Sequence, residues 1–199
     1  MTFAIALVLT VLGVLSRLAP HPPNLVFVGA GGLALFAGAR LPRFWAFAVP
    51  LLMMIGSDLL LDRGTGYSPL QGDYIARYVA FAFIVGMGAF LKGSTNGLKI
   101  AAFSIGASVL FFLISNFGVW AFPNPAHPPT YARDFGGLLH CYAAGLAFYS
   151  QSPFSNFFLN SMLSDLMGVG ILFGLDAAAV RLATRLRPSL AHAEINPNR

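Results

Sequence analysis

A chain of 199 residues in which 57% of the side chains are apolar and 10% charged, with a mean hydropathy of +0.72, is excluded from the class of ordinary soluble domains. A formal charge of +5 does not make it a nucleic-acid binder, because the basic residues sit dispersed at the ends of apolar stretches and form no stripe. The single cysteine, Cys141, excludes an internal disulfide and a cysteine-rich metal site.

Seven apolar stretches follow one another at 2–18, 25–39, 44–61, 74–91, 98–120, 136–149 and 156–180. A membrane span needs about 20 residues, so the second is short and the sixth shorter still. The sequence therefore predicts an all-α integral membrane protein, a bundle of six transmembrane helices plus one short re-entrant or oblique helix, with seven spans as the alternative. Residues 1–187 form one domain in this reading, and 188–199 a polar tail.

The first stretch begins with Met1-Thr2-Phe3 and has no basic region ahead of it, so it reads as a retained helix and not as a signal peptide. Leu18-Ala19-Pro20-His21-Pro22-Pro23-Asn24 must then end it. Proline lacks the N–H that the helical ladder uses and pushes the preceding residue out of the α region. Such a stiff turn presents His21 and Asn24 at little ordering cost. The second stretch carries Ala30, Ala34 and Gly38 at four-residue spacing, a small-residue face for close packing against the third helix or another subunit.

Asp58 lies in an apolar run, where a carboxylate facing lipid costs a few kcal/mol or more. It faces either a wet cavity or a polar partner on a neighbouring helix. The loop over 62–73 contributes Tyr67, and Ser115, Asn116 and Trp120 close the fifth stretch at an aromatic boundary. His127, His140 and Cys141 join His21 as metal-ligating residue types, without the paired spacing of a metal site. In the last stretch Asn156, Asn160, Ser161, Ser164 and Asp165 share one helical face, which turns away from lipid.

Charge sets the orientation. Arg40 and Arg43, Lys92 and Lys99, and Arg181, Arg185 and Arg187 all fall on the cytoplasmic side if the sixth stretch does not cross independently. Both termini are then cytoplasmic in a multi-pass protein of the cell inner (cytoplasmic) membrane. Arg17, Arg63, Arg77 and Arg133 are the exceptions on the outer side, with Asp62, Asp73 and Asp134 to offset three of them.

The chain has no Gly-x-x-x-x-Gly-Lys-Ser/Thr run, and Gly29-x-Gly31 lies outside any strand–helix unit. With no Ser/His/Asp arrangement and no His-Glu-x-x-His, the sequence indicates no enzyme, metal or other cofactor.

The runs Arg17-Leu18-Ala19-Pro20-His21-Pro22-Pro23-Asn24, Ser57-Asp58 and Ser115-Asn116-Phe117-Gly118-Val119-Trp120, with Cys141-Tyr142 and Asp165, resemble a family of small bacterial membrane proteins catalogued as transport proteins of unknown substrate. The match runs over about 15–175, and 144–149 departs from it where a proline-containing turn is expected. More distantly, the arrangement is similar to the S components of energy-coupling factor (ECF) transporters. That resemblance implies a six-helix receptor without an ATPase, dependent on a separate transmembrane subunit and ATPase subunits. It also implies an outer pocket under the first, third and fifth loops. The first helix lacks the Ala-x-x-x-Ala face such proteins use for docking.

Two functions compete. In the first, the chain captures a small vitamin-like or polar molecule, bound by His21, Asn24, Asp58, Asn116, Asn160 and Asp165, with Tyr67 and Trp120 stacking on it. In the second, it is an accessory structural subunit of a larger membrane complex, and its polar groups only fix helix register.

Overall fold

The computed structural model describes residues 2–20, 25–61, 63, 72–122, 129–147 and 156–195. Among them seven helices and no strand occur: α1 (Thr2–Leu18), α2 (Ala30–Arg40), α3 (Arg43–Leu61), α4 (Gly72–Ala89), α5 (Gly97–Ala121), α6 (Phe135–Ala147) and α7 (Phe157–Ile195). The helix boundaries follow local chemistry. α1 stops at Leu18, two residues before Pro20. Asn96 caps α5, its Oδ1 accepting from Lys99 N at 3.0 Å. Asp134 Oδ1 does the same for Gly137 N in α6 at 2.7 Å, and Asn156 Oδ1 for Leu159 N in α7 at 3.0 Å. The turn into α5 passes through Gly93 at φ 71°, a left-handed conformation that glycine adopts without steric cost.

α3, α5 and Phe157–Arg185 of α7 are long and apolar enough to cross a membrane; α1 and α6 are apolar but shorter. Large apolar side chains such as Leu15, Leu52, Phe83 and Leu113 stand exposed on the outer faces of α1, α3, α4 and α5, as a membrane protein's lipid-facing surface requires. Two predicted bounds shift. The second stretch becomes helical only at Ala30, leaving 25–29 unwound, and α7 runs on to Ile195 through most of the segment read as a polar tail.

The shortest helix is the central one. α2, 11 residues and so about 16 Å long, touches α1, α3, α4, α5 and α7. Its glycines allow this. A β-carbon on Gly32 would lie 2.7 Å from the Asp165 carbonyl oxygen, and one on Gly38 would lie 3.1 Å from Gly88 Cα, so α2 meets the backbones of both α7 and α4. The small residues therefore serve α4 and α7, where the sequence suggested the third helix or another subunit. Leu33, Leu35, Val49, Met53, Phe81 and Ile84 fill the core around α2, and Phe36 meets Phe173 edge to face at 5.2 Å.

At its C-terminal end α2 is clamped by Arg40. Nε donates to Asp176 Oδ2 at 2.7 Å, Nη1 to the Leu91 carbonyl at 3.1 Å and Nη2 to the Ser94 carbonyl at 2.7 Å, while Phe173 lies under the guanidinium. One side chain thus ties α2, the α4–α5 turn and α7 together. Arg40→Met is expected to cost about 3 kcal/mol, because it takes the partner from the Asp176 carboxylate and the Ser94 carbonyl and leaves the Leu91 carbonyl with Ser94 N alone. An apparent melting temperature in detergent unchanged from wild type would show that the clamp carries no stability.

Candidate functional site

The site begins where α2 begins. A helix leaves its first N–H groups without internal partners, and inside a bundle they need acceptors from a neighbouring element. Here α7 provides them. Asp165 Oδ1 accepts from Gly32 N at 3.0 Å, and the Gly31 amide is a second backbone donor to the same carboxylate. Its Oδ2 lies 2.8 Å from Ser108 Oγ of α5. The unwound segment ahead is stitched down likewise, Gly29 N to the Ser164 carbonyl at 3.1 Å and Val26 N to Ser164 Oγ at 2.8 Å. Val28 N reaches Ser16 Oγ of α1 at 3.3 Å.

These groups line one part of a cavity of about 730 Å³. Gly29, Ala30, Gly31, Ser108, Ser164 and Asp165 bound it where α2 starts. Phe81, Phe111, Phe112, Phe157 and Phe158 supply aromatic walls, with Phe81 and Phe111 at 5.1 Å and Phe112 and Phe158 at 5.0 Å. Leu61, Val119, Thr130 and Tyr131, near the ends of α3 and α5 and before α6, bound the other part, where Arg17 and Arg77 also face in. The volume lies within the range usual for small-molecule sites.

α6 is held against α5 by Tyr142 Oη donating to the Leu113 carbonyl at 2.9 Å and by the Cys141 thiol 3.4 Å from the Asn116 carbonyl. It brings Cys141 and Gly145 to the cavity. Burial above all, and then the neighbouring Cys141, raise the pKa of Tyr131, so its phenol stays a neutral hydrogen-bonding group.

Of the residues picked from sequence, Asn116 and Asp165 line the cavity. Asp58, Trp120 and Asn160 are not among its lining residues. Asp58, 3% exposed, binds Arg17 Nη2 at 2.9 Å and accepts from Tyr78 Oη at 3.3 Å, which is the helix-tying alternative of the sequence reading. Trp120 Nε1 donates to the Ala132 carbonyl at 2.9 Å, and Arg133 bonds the Trp120 carbonyl, so this indole fastens the segment before α6. Asn160 is 1% exposed inside α7's packed face. His21, Asn24 and Tyr67 lie outside the described residues, as does His127.

Sequence reasoning missed Arg17 and Arg77, read only as exceptions to the charge rule, together with Ser108. The signal was available: an arginine in a near-membrane apolar stretch is costly enough to be a site candidate by default. Asp73 does offset Arg77, at 2.6 Å, whereas Asp134 caps α6 and Asp58 takes Arg17. Among the described residues, no three His, Cys, Asp or Glu side chains come together as a metal site would need.

No curated protein and no solved structure matches the chain. A family profile does match, over residues 1–189, nearly the whole length that builds the cavity and its supporting helices. The chain belongs to DUF6580, a family of unknown function.

Proposed function

We propose that the protein is a substrate-binding membrane subunit, S-component-like, for uptake of a small vitamin-like or polar molecule. The observation that supports it best is the cavity of about 730 Å³, into which polar groups of α1, α4, α5 and α7 converge between aromatic walls. Purely structural polar groups would need no such space.

The helix order also supports six passages. α1, α3 and α5 run toward the cavity end. The unwound 25–29 segment with α2, then α4, run back to the Arg40 clamp. α6 lies antiparallel to the last half of α5, with Cys141 beside Asn116 and Gly145 beside Phe112. α7 continues the same way toward Asp176, so α6 and α7 make one interrupted passage. Both termini then share the side that carries Arg40, Lys92, Lys99 and Arg181, the cytoplasmic side. Interrupted passages flanking a cavity are the arrangement transporters use for binding sites.

Binding closes a ligand between the phenylalanines and the serine, asparagine and arginine groups. Release to the inside requires a separate energising module, because the chain has no phosphate-binding loop. Mass spectrometry of small molecules carried by the purified protein tests the reading. Wild type is expected to retain a discrete species, and Ser161→Trp, which fills the cavity from α7, is expected to lose most of it. If both carry the same molecules or none, the cavity is not a receptor.

A second reading, an accessory subunit of a larger membrane complex, has support in Asp58, Trp120 and the Asn116 side chain. The first two are held by close neighbours, and Asn116 Nδ2 donates to the Phe112 carbonyl at 2.8 Å. Co-purification in mild detergent separates the two. An ATPase module belongs to the first reading, a large assembly without one to the second.

A further inference from the structure

Resting on the cavity as a ligand site, we propose that its ligand is an organic anion, a small carboxylate on a flat apolar body, with its charge read by Arg17 and Arg77. Both guanidiniums line the cavity, one from the end of α1 and one from α4. Their carboxylate partners do not. Asp58 and Asp73 hold these arginines at 2.9 and 2.6 Å and contribute nothing to the lining, so each ion pair presents its cationic member to the cavity.

Arg77 is also set by its own helix, stacked 4.1 Å over the Tyr74 ring. Only one of its nitrogens, Nη2, bonds a protein acceptor among the described residues. Guanidinium has five N–H donors in a fixed fork, so a carboxylate is the group that matches the remainder.

The one carboxylate among the described lining residues, Asp165, does not cancel this. It lies where α2 starts, in the other part of the cavity from Arg17 and Arg77, and its Oδ1 and Oδ2 accept from the Gly32 amide and Ser108. Between the arginines and Asp165 the walls include Phe81, Phe111 and Phe112, which suit a planar apolar body. Serving helix register alone, the two arginines would have no need to line a cavity at all.

The test uses three probes that share a ring and differ in charge: 2-naphthoate, 2-naphthamide and 2-naphthylmethylammonium. Each is titrated against full-length protein in lipid nanodiscs, and its affinity is read from the rise in apparent melting temperature with concentration. Naphthoate is expected to bind most tightly. Arg77→Gln is expected to weaken naphthoate roughly tenfold or more, the worth of one charge-assisted hydrogen bond, and to leave naphthamide unchanged.

Asp73→Asn removes Arg77's competitor and is expected to keep or strengthen naphthoate binding, and it decides the matter if Arg77→Gln does not fold. Equal binding of naphthoate and naphthamide by wild type overturns the anion inference and leaves the receptor standing. So does preference for the ammonium, or a naphthoate loss in Asp73→Asn as large as in Arg77→Gln. If no probe stabilises wild type beyond its effect on Ser161→Trp, the flat apolar anion is overturned, and the mass-spectrometric comparison of the two proteins decides the receptor reading by itself.

Discussion

Asp165→Ala is expected to be among the most damaging single substitutions in the chain, lowering stability by about 3–5 kcal/mol. The buried Gly32 amide loses its acceptor at 3.0 Å, an orphaned group that costs about 1–3 kcal/mol, and the Ser108 hydroxyl loses a bond of 2.8 Å and keeps only the Ser104 carbonyl at 3.1 Å. The Gly31 amide adds to the upper end. Asp165→Asn keeps one carbonyl acceptor in place and is expected to lose about half as much. The ordering separates a cap from a ligand group: a cap makes Ala worse than Asn in melting temperature, whether or not any small molecule is present. Heated aliquots run on size exclusion measure it, and an alanine variant as stable as wild type would remove Asp165 from the architecture.

Gly38→Ala carries the second large effect, expected at about 3 kcal/mol of destabilisation. The added methyl would fall on the Val85 carbonyl oxygen and lie 3.0 Å from the Val85 carbonyl carbon, both backbone atoms of α4. A flexible side chain can swing aside, but a helix backbone cannot, so α2 and α4 must separate and lose packing along their whole contact. Gly86→Ala on α4 supplies the control with the opposite sign. Nothing lies within 4 Å of its β-carbon, and a helical glycine replaced by alanine gains about 0.5–1 kcal/mol. Equal melting temperatures for the two variants would contradict the close approach of α2 and α4.

The sequence disclosed the chemistry of individual segments and little of their partnerships. Apolar runs and charged ends were enough to mark all seven helices, and the inward stripe on α7 singled out Asp165 before any coordinates. Asn116 was found for a simpler reason, as an amide in an otherwise apolar run. The unwinding of 25–29 was invisible, since Leu25, Val26, Phe27 and Val28 are as apolar as any helix. What unwinds them is hydrogen bonding to Ser16, Ser164 and the α7 backbone, and no local pattern announces a partner 138 residues away. Arg17 was misjudged similarly. Asp62, Asp73 and Asp134 were the carboxylates set against the outer arginines, but the one that Arg17 meets is Asp58, within the apolar run of α3. Asp58 and Trp120 drew attention as polar or amphipathic groups in apolar surroundings, a property that anchors share with ligand groups.

The central position of α2 has a consequence for how the protein is made. Its first amides find their acceptor 133 residues later in the chain, so during translation this segment emerges long before its cap exists. A short helix with an extended lead gains little by entering lipid alone. Its cap is complete only once residue 165 has been made, so a chain cut short before that point is expected to lack the acceptor that holds the start of its central helix.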